Sequence, residues 1–172
     1  MADPPPLRER LVWSDDGALN DGEIRYLLIR TDSLMQLFKR LPPDARRQAL
    51  ETFAESVSEN GRKSLEARMR RLNLSREQLY ADIAKSSASQ LGWGVWTFQR
   101  SGTEGFTVDV ANSPFVHGFG PSDHPVCFPI KGMLAAMGEL VLGSPVHVEE
   151  TACAAVAGQC CRFAVSRTAS GS

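Results

Sequence analysis

Every cysteine of this chain falls between residues 127 and 161, in CFPIKGMLAAMGELVLGSPVHVEETACAAVAGQCC, at positions 127, 153, 160 and 161. Thiolates are soft, strong ligands for zinc, which takes about four donors in a tetrahedron. Cys127, Cys153 and Cys161 offer three sulfurs, and Glu150, three residues before Cys153, offers a carboxylate. Three sulfurs and one oxygen leave no open position, so such a site would staple the fold rather than activate a water. The spacing is not a paired CxxC repeat, and free cysteine is a common core residue, so unliganded buried thiols are the competing reading of these residues. A nucleophilic reading would pair Cys153 with His147. Against it, a metal-held thiolate is not free to attack, and no oxyanion-hole motif is visible. No phosphate-cradling or dinucleotide glycine loop occurs, since the GWG at 92–94 is too short.

Several elements have to carry these residues to one place. A helix-like segment follows Cys127 and ends at Gly143-Ser144-Pro145; residues 146–150 and 161–165 read as strands, joined by a turn of small residues through Gly158. If the strands pair and the helix packs on them, the two ends of the stretch meet. Upstream, the alternation from Trp93 to Gln99 predicts a strand, and 106–110 its hairpin partner. Before these, the pattern predicts helices from Asp32 or Ser33 to Leu41, over 44–60, and from Ser75 towards Ser89, the last with a capping-box start. The basic run in 61–72 reads as a solvated helix face around Leu65 and Met69. Residues 23–29 are a short strand or a helix entry, and 112–125 a loop. The fold class is α+β, with helices packed on one face of an antiparallel sheet. The expected division is a tail and lead-in over 1–21, one domain over 22–166 and a tail over 167–172.

The chain has 172 residues, 42% of them hydrophobic, enough for one domain with a proper core. A net charge of −1 argues against nucleic acid as a principal partner. Nothing approaches the roughly 20 apolar residues of a membrane span. Residues 1–9 are proline-rich and charged, without a signal peptide's apolar run, so residence is expected to be cytoplasmic. Clustered cysteines there point to metal rather than a disulfide framework.

The segment HVEETACAAVAGQCCRFAV resembles the C-terminal signature of the 4-vinyl-reductase domain family, a ligand-binding module also found in phenol- and xylene-sensing transcription activators. Glu150, Cys153, Gly158 and Cys161 match its Glu, Cys, Gly and Cys positions. His124-Pro125-Val126-Cys127 matches the context of the sensors' further zinc-ligand cysteine, and Asn112-Ser113 and Phe119-Gly120 resemble their segment between strand and helix. The resemblance implies zinc as cofactor, held by Cys127, Glu150, Cys153 and Cys161, with Cys160 disfavoured by the Cys-Arg-Phe context of Cys161. It also implies the fold of haem-based nitric-oxide sensors and vesicle-tethering subunits, a homodimer, and a hydrophobic or aromatic ligand. With no helix-turn-helix or ATPase domain in the sequence, the signal would pass to an unidentified protein partner. Trp96, Phe106, Val110 and Phe128 are the expected ligand-lining residues, because apolar ligands sit among aromatic and aliphatic side chains. In the phenol sensors a tryptophan two residues before the Asn-Ser pair contacts the ligand hydroxyl. Val110 stands there in this chain, which removes an indole donor and favours a more apolar ligand. The alternative is an enzyme or accessory factor of tetrapyrrole (bacteriochlorophyll) biosynthesis acting on 4-vinyl groups. The sequence shows no nicotinamide or flavin site for it.

Overall fold

The structure, a computed structural model, describes residues 6–168. The ends of the two expected tails, 1–5 and 169–172, lie outside them. The elements run α1 (Leu7–Arg10), β1 (Val12–Trp13), β2 (Leu19–Asp21), β3 (Ile24–Tyr26), α2 (Thr31–Lys39), α3 (Pro43–Leu72), α4 (Arg76–Gln90), β4 (Val95–Ser101), β5 (Gly105–Ala111), α5 (Pro114–Phe119), α6 (Phe128–Leu142), β6 (Val146–Ala152) and β7 (Cys160–Arg167). Among the described residues no helix is long and apolar enough to cross a membrane.

The main sheet has the order β4-β5-β7-β6 and is antiparallel throughout. Strand alternation divides it cleanly. Phe106, Val108 and Val110 on β5, and Cys161, Phe163 and Val165 on β7, are buried, while Thr107, Asp109, Arg162 and Ser166 face away. Helices cover only the inner face: α6 packs on β6 and β7, and α4 packs on β4. That is the α+β arrangement the sequence predicts.

α6 is apolar on nearly every side because it lies between the sheet and α3. Ile130, Leu134, Met137 and Val141 are buried at helical spacing. On the opposite side Gly132 lets α3 approach: a Cβ at Gly132 would come within 2.1 Å of the Ala54 carbonyl oxygen.

Three expectations need correction. Residues 44–60 and 61–72 belong to one helix, α3. Glycine costs about 1 kcal/mol inside a helix, but Gly61 is buried against Met133, where a Cβ would press the thioether methyl at 3.1 Å. Part of 112–125 is helical: Ser113 and Pro114 open the short helix α5, which packs on α2. The lead-in over 7–21 is folded, with Leu7, Ala18 and Leu19 buried and the Leu7 N–H donating to Gln90 Oε1 at 2.7 Å. Its strands β1, β2 and β3 form a small separate sheet.

Candidate metal centre and ligand cavity

Cys127, Glu150, Cys153 and Cys161 meet in the structure, with one ligand atom from each within 4.8 Å of the others. Each arrives by a different route. Cys127 is the residue before α6 and starts that helix. Cys161 stands on β7 opposite Val110, on the buried face. Glu150 and Cys153 are three residues apart, a spacing that puts side chains on opposite faces of a regular strand. A bulge resolves this. The β6–β7 register shifts between Glu150 and Ala152, so Glu150 opposes Phe163 while Ala152 opposes Arg162, and Thr151 is the extra residue. The shift sets Cys153 on the inner face with Cys161. The turn then closes on Cys153, whose carbonyl accepts the Val156 and Ala157 N–H groups at 3.0 and 3.1 Å.

The contacts within the cluster are those of a ligand set. The Cys127 and Cys161 sulfurs are 3.5 Å apart. The buried Ser113 hydroxyl is 3.3 Å from the Cys127 sulfur, and the Ala154 N–H donates to the Cys161 sulfur at 3.4 Å. Glu150 accepts the Cys127 N–H on Oε2 at 3.2 Å, whereas its Oε1 is buried with no hydrogen-bond partner among the described residues. One carboxylate oxygen is thus fixed by the helix start, and the other is left facing the thiols.

The electrostatics say the same. Burial, and then Cys153, push the Glu150 carboxyl up to about 9. Hydrogen bonds from Cys127 and then Cys153 pull the Cys161 thiol down, and the same contacts with Cys153 and Cys161 drive the Cys127 thiol up. Crowded acids hold one negative charge among them and resist a second. A cation removes that conflict, and these four side chains could hold a metal ion. Cys160 takes no part: it is the neighbour of Cys161 on β7, and alternation turns it to the outer face.

A separate cleft of about 220 Å³ opens beside α3, between α3, α4, α6 and the N-terminal segment. Trp93, Trp96, Met133, Met137, Leu65 and Ile83 form its apolar wall. Of the four residues expected to line a ligand site, Trp96 is in this wall, and its Nε1–H donates to the Trp93 carbonyl at 3.0 Å. Phe106 and Val110 are not in it. They point inward from β5, the strand between β4 and β7, and are sealed in the core, Phe106 against Tyr80 at 5.6 Å between ring centroids. Phe128 lines a different depression, beside Glu55, Lys131 and His147.

Sequence reasoning missed the part of the wall given by α3. The basic run it treated as solvated includes Arg68, whose guanidinium is bidentate on Asp82 at 2.6 and 2.9 Å, the pair's side chains being 17% and 21% exposed. The available signal was Gly61, Leu65, Arg68 and Arg71 recurring at helical spacing.

Residues 106–167 match the family model of the vinyl-4-reductase (V-4-R) domain. This segment is a vinyl-4-reductase domain. It contains all four residues of the metal cluster, but of the cleft only the α6 side, since α3 and α4 lie upstream. The whole chain is similar to the phenol-responsive sensory domain of the transcription activator PoxR, solved with phenol. The identity is 20%, the alignment covers 94% of this chain and 86% of that one, and the TM-score is 0.73. It is also similar to a trafficking protein particle complex subunit 3 from Naegleria fowleri covalently bound to palmitic acid, at 13% identity, 81% and 95% coverage and a TM-score of 0.57. A vinyl-4-reductase family protein from Methanocaldococcus jannaschii aligns at 14% identity over 84% of this chain and 98% of that one, with a TM-score of 0.49. Comparison with curated proteins finds no match. At these identities this chain and the first two structures share a fold, helices on one face of an antiparallel sheet, as expected of a sensory domain and a vesicle-tethering subunit.

Proposed function

We propose that this chain is a zinc-stapled small-molecule-binding domain of the sensor type, taking a hydrophobic or aromatic ligand into the cleft beside α3. The observation that carries this reading is the cleft itself: about 220 Å³ walled by two tryptophans and two methionines. Apolar walls with a few polar groups are the usual make-up of a small-molecule site, and an apolar cavity of about 150 Å³ holds benzene. The fold shared with a phenol-responsive sensory domain supports the same use.

Zinc is the proposed metal because the donors suit it. Zinc–sulfur bonds of about 2.3 Å in a tetrahedron imply sulfurs about 3.8 Å apart, close to the 3.5 Å between Cys127 and Cys161. Bound there, zinc would supply a cross-link with no open position. Cys127 would anchor the start of α6, Glu150 and Cys153 the end of β6 and its turn, and Cys161 the strand β7. A reducing, cytoplasmic setting fits thiols kept for metal. We further propose that the domain spans at least residues 22–166 and acts as a homodimer or through a partner protein that reads the bound state.

Ligand binding is tested by thermal shift and by tryptophan fluorescence with a panel of monocyclic and polycyclic aromatics and porphyrins. A compound selective for the folded state raises the melting temperature. No shift with any of them rejects the ligand-binding reading. Elemental analysis of protein purified without added metal is expected to give about one zinc per chain. A folded, metal-free protein rejects the staple.

A further inference from the structure

We infer that the ligand of the α3 cleft is an amphipathic monoanion, an aryl or alkyl carboxylate, whose head is taken by Arg71. The inference rests on the reading of this cleft as the ligand site and specifies its ligand class. Gly61, Ser64, Leu65, Arg68 and Arg71 line the cleft from one helix, and three- and four-residue steps keep them on one face. From Gly61 to Arg71 that face runs about 15 Å at 1.5 Å per residue. It begins apolar, at Gly61 against Met133, and ends basic.

The charges along the cleft are mostly matched. Arg10 pairs with Asp21 at 2.8 Å, and Arg68 with Asp82 at 2.6 Å. Arg71 is exposed at the rim, and among the described residues no carboxylate lies within ion-pair distance of it. One positive charge at the polar end of an otherwise apolar cleft matches a ligand with one negative charge. Guanidinium takes a carboxylate with two parallel hydrogen bonds, a geometry that a neutral hydrocarbon or alcohol cannot use. Tyr26, half-buried in the same wall, adds a hydroxyl that has no hydrogen-bond partner among the described residues. The apolar body of the ligand would lie against Met133, Met137 and Trp96.

Calorimetric titration with phenylbutanoate and phenylbutanol, of the wild type and of Arg71→Gln, tests this. The two probes share one apolar body and differ in the charged head. In the wild type the acid is expected to bind about five- to tenfold more tightly, the modest factor of a partly exposed charge pair. Arg71→Gln is expected to abolish that preference and leave the alcohol's affinity unchanged, because Arg71 is a surface residue of a long helix. Higher salt should weaken only the acid. Equal affinities in the wild type, or a preference that survives Arg71→Gln, would overturn the inference while the cleft remains a ligand site. If neither probe binds and the aromatic panel gives no shift, both the inference and the reading beneath it fall.

Discussion

Replacing Cys153 by alanine separates a metal staple from a cluster of packed thiols. Cys153 is 3% exposed, and its side chain is a single sulfur beyond Cβ. As plain packing, that group is worth about 1 kcal/mol, the value of one buried methylene. The turn that follows is held by the Cys153 carbonyl, which alanine keeps, so the backbone contacts survive the change. If the thiolate is instead one of four metal ligands, much more is lost. Structural zinc supplies about 10–16 kcal/mol of apparent binding energy in small peptides, and that binding energy is folding energy. Cys153→Ala is then expected to cost more than about 4 kcal/mol, in the range reserved for lost metals and broken buried networks. For a chain of this size, at about 2–4 °C per kcal/mol, the melting temperature should fall by about 10 °C or more. Thermal unfolding of wild type and variant, each with and without a strong chelator, is the assay. The chelator should bring the wild type down to the variant and leave the variant unmoved. A drop of only about 1 kcal/mol, with a wild type indifferent to chelator, would refute the reasoning.

The other predictions follow from the same geometry. In chelator-treated protein, the Glu150 carboxyl is raised from about 4.5 to about 9, so the native state holds a proton that the unfolded chain has released. Its contribution to stability is full below about 4.5 and is lost as pH rises towards 9; denaturant unfolding across that window should show the fall, and Glu150→Gln should flatten it. Gly61→Leu should fill the apolar end of the cleft against Met133, abolishing the ligand-induced thermal shift while leaving the free protein as stable or more so, since leucine is the better helix former. Arg68→Ala should destabilise by about 1–3 kcal/mol by leaving Asp82 without its bidentate partner, whereas exposed Arg70→Ala should stay within about 0.5 kcal/mol, as read by urea unfolding.

The metal cluster was legible in the sequence because residue chemistry and strand pattern both point to it. Three thiols and a carboxylate stand at the ends of two strands and one helix, and those elements carry strong periodic signals. The fold class was legible for the same reason, since alternation from Trp93 onward and helical spacing before it are local properties. What local pattern could not give was the bulge at Thr151, which decides that Glu150 and Cys153 share a face although their spacing opposes it. Nor could it join the two halves of α3. The glycine that looks like a helix end is tolerated because Met133, on a helix far along the chain, packs where a side chain would be. The ligand cleft is tertiary in the same sense. Its wall draws on the N-terminal segment, α3, α4, the approach to β4 and α6. Hydrophobicity told that Trp96, Phe106, Val110 and Phe128 would be inside or near it. The crossing of α3, α4 and α6 over the sheet decided that Trp96 meets the cleft while Phe106 and Val110 are sealed beneath β5, because burial is a property of what packs against a residue and not of the residue itself.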